Sequence, residues 1–375
     1  MKKFFILILA LTMILVFSTA AWGVSFGARA AGMGGAFTAV ADDCSAVYWN
    51  PAGITQLKVL TITPGVGFQG IEEQIRAYLN ILENKDFNSV LELLDSFGDD
   101  GLYIGGSVYL GLTTKFIAVN AFGDANIIMK QDDIFNKSYT DINLYGIGTI
   151  AIPIGRVAYG GNVKLVGSNL NQSVIPIITE YNWEYILNNW DDYDELLTNP
   201  DYNYSKEATG QGVAFDVGVL ACLTDSLKLG ITGRNIVSSV EYTGKIVKYT
   251  FNNDPLNPGF EEYSSEDISG KIPLVSTYSV GLAWRPGSST LIATDVEMII
   301  NPLDPDLNMT LFHVGLEQLL LAKLIALRAG AFTNPDNSVN FSAGLGFKLG
   351  PVLFDVAATQ AGKATGVFLT AGFKF

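Results

Sequence analysis

The stretch Val339-Asn-Phe-Ser-Ala-Gly-Leu-Gly-Phe-Lys-Leu349 alternates apolar residues with small or polar ones without interruption. A period of two places these two kinds of residue on opposite faces of a β-strand. The same alternation runs through 212–222 and 102–112. Strands with one apolar and one small or polar face are typical of a wall between lipid and a lumen. The stretch therefore predicts one strand of a transmembrane β-barrel.

Applied to the whole chain, the alternation predicts an all-β, antiparallel barrel of about fourteen strands. Short turns alternate with longer connections, as in barrels with short periplasmic turns and long outer loops. The three longest connections, 69–101, 171–207 and 238–272, hold 22 of the 37 acidic residues. We expect them to be outer loops, the first two with helical spacing and the third irregular. The predicted strands begin near Leu57, Leu102, Lys115, Thr140, Val157, Ala208, Leu227, Pro273, Thr290, Met309, Leu324, Val339, Val352 and Thr365.

The composition agrees with a membrane barrel. The mean hydropathy is +0.28 and 16% of the residues are charged, against roughly 25% in soluble proteins. After Gly23 no uninterrupted apolar run reaches the roughly 18 residues of a spanning helix, and a closed barrel pairs its backbone in lipid without one. The net charge of −14 argues against a nucleic-acid partner. Cys44 and Cys222 either pair or remain two independent buried residues.

The first residues have the organisation of a secretory signal peptide. Lys2 and Lys3 precede an apolar run over 4–17, and small residues follow over 18–23. We expect cleavage of residues 1–23 and export to the outer membrane. A membrane anchor is the alternative, although the apolar run is short for a span of about 20 residues.

The next segment is rich in glycine and alanine. It reads Gly27-Ala-Arg-Ala-Ala-Gly-Met-Gly-Gly-Ala-Phe37 and continues to Tyr48-Trp-Asn-Pro-Ala-Gly53, and the chain ends in Phe373-Lys-Phe375. This start resembles the N-terminal hatch of FadL-type outer-membrane transporters of fatty acids and aromatic hydrocarbons, and the end resembles the last strand of an outer-membrane barrel. The resemblance implies a lumenal hatch over 24–56 and a barrel over 57–375. A phosphate loop is the alternative for the glycines, but no strand precedes them and the lysine is missing.

The resemblance also implies where a gate lies. In FadL-type proteins the Asn-Pro-Ala motif of the hatch lies near an inward kink of the third strand. Here that motif is Asn50, Pro51 and Ala52. Gly123 of the third predicted strand would then form a lateral opening, because glycine within a strand often marks a bulge or bend. An ordinary wall glycine is the alternative.

The second long loop carries a group of large apolar side chains, and from Leu187 onward its spacing suits an amphipathic helix. An exposed aromatic face usually marks a binding site or an interface. The alternative is a cap that packs against the loop at 71–97. The residues predicted to collect apolar ligand are Trp183, Leu187, Trp190 and Tyr193.

Charged residues also fall on the lumenal face. The alternation places Glu297, His313, Glu317 and Arg328 there, on three successive strands. They predict either a patch that binds a carboxylate or a cation, or a salt-bridge network that braces the wall. A single histidine in 375 residues excludes a multi-histidine metal site, and no Gly-x-Ser-x-Gly elbow occurs. We therefore expect no enzyme, no cofactor and no metal.

Together these features predict passive uptake of hydrophobic compounds, either long-chain fatty acids or aromatic hydrocarbons, across the outer membrane. We expect a monomer surrounded by outer-membrane lipid and lipopolysaccharide, assembled by the barrel assembly machinery. The same N-terminal signature also resembles PorV-like barrels, in which the barrel is a docking scaffold for protein secretion. An apolar ligand that copurifies with the barrel would favour uptake over the scaffold.

Overall fold

A computed structural model describes residues 26–71, 102–132, 135–176, 198–200, 203–252, 259–333 and 338–375. Two short α-helices, α1 (Ala28–Gly32) and α2 (Ala46–Trp49), and two 3-10 helices, η1 (Pro51–Gln56) and η2 (Pro305–Leu307), lie in these ranges. No helix of the described residues is long and apolar enough to cross a membrane. The strands of these ranges are β1 (Thr61–Ile71), β2 (Leu102–Thr113), β3 (Ile117–Asp132), β4 (Phe135–Ile154), β5 (Val157–Pro176), β6 (Tyr204–Cys222), β7 (Leu227–Asn252), β8 (Gly259–Ile272), β9 (Ser276–Trp284), β10 (Thr290–Ile300), β11 (Met309–Leu320), β12 (Ile325–Thr333), β13 (Val339–Leu349), β14 (Val352–Ala361) and β15 (Ala364–Lys374).

Fourteen of these strands form a closed antiparallel ring. Chain neighbours pair from β1 to β7, β7 then pairs with β9, and neighbours pair again from β9 to β15. The ring closes because β15 pairs with β1. β8 pairs with the outer part of β7 and lies outside the ring. A closed ring leaves no unpaired strand edge in lipid, and the predicted fourteen-stranded barrel is confirmed.

The strand starts follow the predicted alternation. β2, β5, β7, β10, β11, β13 and β14 begin at the predicted residues. β1 begins at Thr61 rather than near Leu57, because η1 continues to Gln56 and Leu57 is buried in the interior core. β4 begins at Phe135 rather than near Thr140.

The segment 238–272 differs from the expected irregular loop. β7 continues to Asn252, and β8 returns from Gly259 to Ile272 as its hairpin partner. Nearly all of β8 is exposed, so neither face needs an apolar row and the period-two signal is missing. The helical spacing predicted for the other two long loops lies outside the described residues.

The barrel wall has two heights. β4 to β7 are 19 to 26 residues long, whereas β9 to β15 are 9 to 12 residues long. At about 3.3 Å per residue, ten extra residues add roughly 30 Å of strand. The extra length lies on the outer side of the barrel, because short turns join the strands at the other end, around the whole ring. We call β4–β8 the tall wall and β9–β15 the low wall.

The outward side chains show where each wall leaves the membrane. On the low wall, exposed apolar residues continue to the outer end of β10 at Ile300. On the tall wall, the outward positions beyond the apolar belt are polar and exposed, as at Asn169, Gln211, Glu207, Ser239 and Glu241. The tall wall therefore projects into water, while the low wall ends near the membrane boundary. The last exposed apolar residues before that change on the tall wall are Leu144, Leu165, Val213 and Val237.

Residues 26–60, which we call the N-terminal segment, lie inside the ring. Their contacts reach strands of both walls, and most of their side chains are buried. Gly315 and Gly330 let the backbone at Met33 and Gly34 approach the low wall, since a Cβ at either wall glycine would overlap it. The action of this segment as a hatch stays a prediction. The largest apolar cluster joins its residues Met33, Phe37, Val40, Val47 and Ile54 to the wall residues Phe122, Ile147 and Leu291.

Candidate functional site

A cavity of about 490 Å³ lies on the outer side of the N-terminal segment. Gly34, Gly35, Tyr48 and Trp49 form its floor. A concave, mostly apolar site with a few polar groups is typical of small-molecule binding. Its sides come mainly from the low wall and include Thr277, Ile299, Leu311, Phe332, Thr359, Ala361 and Gly366.

Three nearly buried polar side chains meet at the floor of the cavity: Arg234, Glu297 and His313. Arg234 Nη2 is paired with Glu297 Oε1. His313 Nε2 lies 3.3 Å from Glu297 Oε2, and its Nδ1 lies 2.8 Å from the carbonyl oxygen of Gly34. Because a carbonyl oxygen only accepts, Nδ1 is the donor. The three side chains thus connect the wall to the backbone of the N-terminal segment.

Arg234 is placed there by a bulge in β7. Three β7 residues, 234–236, oppose Asp216 of β6 alone. Asn235 has a positive φ of 52°, and its backbone N–H donates to Asp216 Oδ1 at 2.8 Å. The guanidinium of Arg234 lies 4.4 Å from the ring centroid of Tyr48, a cation–π distance. Bulges often re-aim a side chain beside a functional site, and this one was not predicted from the sequence.

Glu317 and Arg328, predicted for the same patch, form a second cluster nearer the periplasm. Arg328 donates to Glu317 Oε2 at 2.8 Å and to Asp355 Oδ1 at 2.6 Å. Arg29 of the N-terminal segment also donates to Glu317, from Nε at 2.7 Å and from Nη2 at 2.9 Å. His313 and Glu317 are four residues apart on β11, which is roughly 13 Å along a strand. The predicted patch therefore consists of two clusters, and the cluster around Glu317 and Arg328 is a salt-bridge network.

Arg29 extends this network within the N-terminal segment. It pairs with Asp42, and Arg285 of the low wall donates to Asp42 Oδ2 at 3.0 Å. Burial lowers the pKa of Arg29. The carboxylates of Asp42 and Glu317 raise it by a larger amount, so the pKa lies well above its ordinary value. The guanidinium therefore stays charged at every physiological pH. Sequence reasoning missed this residue, although the alternation placed its partner Glu317 in the lumen.

Two further wall residues anchor the backbone of the N-terminal segment. Asp295 of the low wall accepts the backbone N–H groups of Phe37 and Thr38 at 2.8 and 2.7 Å. Asn162 of the tall wall donates to the carbonyl oxygen of Val47 at 2.7 Å. The low wall thus uses a carboxylate where the tall wall uses a neutral amide. The sequence pattern does not reveal the partners of either residue.

The Asn-Pro-Ala motif lies against the tall wall. The Asn50 side chain accepts from the Ala52 N–H at 3.1 Å and donates to the carbonyl oxygen of Val219 at 3.0 Å. Gly160 and Gly218 make this approach possible, because a Cβ at either would overlap the motif. Asn50, Pro51 and Ala52 therefore dock on β5 and β6, whereas the resemblance implied a position near the third strand.

Gly123 lies in a regular part of the wall. It pairs with Val108 and Leu144 with no shift of register, so the bend expected at this glycine is not formed here. An apolar hollow of about 440 Å³ surrounds it. Behind it, Phe122 stacks on Phe26 of the N-terminal segment with ring centroids 4.4 Å apart. A lateral opening at Gly123 stays a prediction.

The residues predicted to collect ligand, Trp183, Leu187, Trp190 and Tyr193, lie outside the described residues. The two cysteines are described, and both are free thiols. Cys44 is buried, with Sγ 3.7 Å from the carbonyl oxygen of Thr61, and burial raises its pKa.

No protein-family model matches the chain, and no curated protein matches it. Solved structures share its fold. The Ralstonia pickettii toluene transporter TbuX is 13% identical with a TM-score of 0.63, over 94% of this chain and 98% of that chain.

Two further solved structures are similar to a comparable extent. The Pseudomonas putida toluene transporter TodX is 12% identical with a TM-score of 0.59, over 94% of this chain and 99% of that chain. A Pseudomonas aeruginosa FadL homologue is 10% identical with a TM-score of 0.59, over 95% of this chain and 100% of that chain. At these identities the likeness concerns the fold. The chain therefore has the fold of the FadL-type hydrophobic-compound barrels, as its N-terminal signature indicates.

Proposed function

We propose that this protein is an outer-membrane channel for the passive uptake of small hydrophobic compounds. The observation that carries the proposal is the mostly apolar cavity inside a closed barrel, with a floor made by the N-terminal segment. The similar structures support this, since TbuX and TodX are toluene transporters and CymD is a monoaromatic hydrocarbon channel. They do not favour the docking scaffold, and they support a role without catalysis.

The size and lining of the cavity support an aromatic hydrocarbon or the chain of a fatty acid as ligand. A cavity of about 150 Å³ is enough for benzene, and this one is about 490 Å³. Its walls offer apolar contacts, and Arg234 and His313 at the floor are positioned to orient a ligand that carries a polar group. The polar floor then selects orientation, while the apolar walls supply affinity.

Uptake requires the floor to move, so we propose that the N-terminal segment is the hatch. Its α-helices are four and five residues long, too short to be stable alone. Its position therefore depends on the wall contacts at Asp295, Glu317 and Asn162. A single chain closes the ring, which supports a monomer surrounded by outer-membrane lipid and lipopolysaccharide. Phe373 and Phe375 are the residues that we propose the barrel assembly machinery reads.

The test is to fill the cavity from one wall position. Thr359 lines the cavity, whereas its neighbour Ala358 is exposed on the outer face of the same strand. We expect Thr359→Trp to lower toluene uptake by proteoliposomes at least tenfold, and Ala358→Trp to leave it unchanged. Both variants should keep heat-modifiable mobility on gels. Equal uptake by the two folded variants would show that the cavity is not on the route.

A further inference from the structure

We propose that the cavity selects an uncharged apolar ligand that carries one hydroxyl group, a phenol or an alcohol, and that Glu297 accepts the hydrogen bond of this hydroxyl. The inference rests on the proposed function and names the class of ligand that the same cavity prefers. It separates that ligand from a plain hydrocarbon, which has no donor, and from a carboxylate, which has the wrong charge.

Glu297 has unused hydrogen-bonding capacity at the floor of the cavity. It forms an ion pair with Arg234, and an ionised carboxylate only accepts, with about four acceptor positions on its two oxygens. Arg234 Nη2 takes one of them at Oε1, and His313 Nε2 faces Oε2 at 3.3 Å. Because Glu297 lines the cavity, the remaining positions are available to a donor on the ligand.

The donors at the floor are engaged or covered. The guanidinium of Arg234 bonds Glu297 and lies 4.4 Å from the ring centroid of Tyr48, and its Nε and Nη1 are buried. His313 Nδ1 donates to the carbonyl oxygen of Gly34 at 2.8 Å. The polar floor therefore offers a ligand an acceptor more than a donor, and a hydroxyl that donates is its complement.

The charges around the floor oppose an anionic ligand. Asp295 is the cross-strand neighbour of His313, and behind Arg234 an ion pair of 2.7 Å joins Lys164 to Asp216. With Arg234 and Glu297 this makes three carboxylates and two cations, so the formal charge is negative, or zero with a protonated His313. A buried anion without a partner is costly, so a carboxylate ligand gains nothing here. A neutral hydroxyl avoids this cost.

Apolar surfaces for the rest of the ligand adjoin the carboxylate. Leu311 is the cross-strand neighbour of Glu297, and Phe332 stacks on His313 with ring centroids 6.4 Å apart. Both line the cavity, as does Trp49. A hydrocarbon of the same shape gains the same apolar contacts, but it displaces water from Glu297 without replacing the hydrogen bond. Binding sites built around a polar group discriminate against a ligand that leaves the group unpaired.

The test is a competition measured at Trp49. Bound 1-bromonaphthalene quenches its fluorescence and a competitor restores it, in a background that carries Trp183→Phe, Trp190→Phe and Trp284→Phe. The competitors are 4-ethylphenol, 4-ethyltoluene, which has a methyl group in place of the hydroxyl, and the anion 4-ethylbenzoate. Each dissociation constant refers to the free aqueous concentration of the competitor.

We expect the background protein to bind 4-ethylphenol at least tenfold more tightly than 4-ethylbenzoate. Arg234→Met/Glu297→Leu replaces the ion pair by apolar side chains, a change that buried sites often tolerate. It should weaken binding of 4-ethylphenol at least fivefold relative to 4-ethyltoluene.

Glu297→Gln leaves the charge of Arg234 without its carboxylate and should strengthen binding of 4-ethylbenzoate at least fivefold, a gain that a misfolded barrel cannot show. Glu262→Gln is the matched control, because it removes a carboxylate from the exposed surface of β8 and should change no dissociation constant.

An unchanged ratio of 4-ethylphenol to 4-ethyltoluene binding in the double variant would overturn the proposal. Binding of 4-ethylbenzoate as tightly as 4-ethylphenol to the background protein would overturn it as well, as would a Glu297→Gln variant that gains no affinity for the anion. In these cases quenching by 1-bromonaphthalene would leave the proposed function standing. If Trp49 is not quenched at all, the cavity binds no such ligand and the proposed function itself fails.

Discussion

The tall wall and the low wall hold the same N-terminal segment by different chemistry. The low wall uses carboxylates, with Asp295 on two backbone N–H groups and Glu317 on Arg29. The tall wall uses the neutral amide of Asn162 on a carbonyl oxygen, and its cationic Arg234 lies over the ring of Tyr48. The low wall also lines most of the cavity and ends at the membrane. The carboxylate anchors of the N-terminal segment and most of the cavity lining therefore lie on one side of the ring, while the strands of the other side are longer.

The difference predicts where the N-terminal segment is held most strongly. Hydrogen bonds to charged groups contribute about 1.5–3 kcal/mol, against about 0.5–1.5 kcal/mol for neutral ones. The carboxylate anchors of the low wall should therefore contribute more to the attachment than the neutral amide of Asn162.

The largest effect is expected at Glu317. Glu317→Gln leaves the buried Arg328 and the partly buried Arg29 without their shared carboxylate. Breaking a buried ion pair costs about 3–5 kcal/mol, so the free energy of unfolding in urea should fall by about that amount. The control on the tall wall is Glu241→Gln, because Glu241 pairs with Lys271 in an exposed site and such pairs contribute little. Equal free energies of unfolding for the two variants would contradict a stabilising role of the Glu317 network.

The next effect compares the two backbone anchors. Asp295→Ala removes the acceptor of two buried N–H groups, and we expect a loss of about 3 kcal/mol. Asn162→Ala removes the donor to the carbonyl oxygen of Val47 and to Asp216 Oδ2. Asp216 keeps its ion pair with Lys164, so the variant should cost about 1–2 kcal/mol. Release of the N-terminal segment should also raise single-channel conductance more in the first variant than in the second. A larger effect of the asparagine variant on both measurements would reverse the comparison.

A smaller effect is expected at the loop that carries Trp190. The loop with Trp190 connects two strands of the tall wall, β5 and β6, so it should collect ligand from water. We expect Trp190→Ala to slow uptake of aqueous naphthalene about threefold at low concentration, a loss of roughly 0.7 kcal/mol of binding, with thermal unfolding nearly unchanged. Uptake at saturating naphthalene should stay the same, because a collecting site is bypassed when ligand is abundant. Unchanged uptake at low concentration would contradict a collecting role for this loop.

The smallest effect concerns thiol reactivity. Burial raises the pKa of Cys44, so less of it is thiolate at neutral pH and its reaction with a maleimide should be slow. In Cys222→Ser, labelling of Cys44 should accelerate only toward alkaline pH, and adding Asp295→Ala should accelerate it at neutral pH. Cys222, which is partly exposed, should label faster in Cys44→Ser. Fast labelling of Cys44 at neutral pH in an otherwise unchanged barrel would mean that the N-terminal segment does not bury this thiol inside the barrel.

Sequence alternation predicts the part of the wall that contacts lipid, because there one face must be apolar. It fails at β8, where both faces meet water and no apolar row is required. It places His313 and Glu317 in the lumen, yet it merges them into one patch, because height along a strand decides which groups meet. β3 keeps a regular register at Gly123, whereas β7 has a bulge in which Asn235 takes a positive φ. No local pattern there distinguishes a bulge from a regular strand.

The most direct test of the central claim is a crystal structure of the protein soaked with 1-bromonaphthalene, with the bromine located by anomalous scattering. The account predicts a bromine peak inside the cavity, between Trp49, Ile299 and Thr359, and loss of that peak in Thr359→Trp. A bromine confined to the lipid-facing surface or to the hollow at Gly123, with the cavity free of anomalous signal, would contradict it.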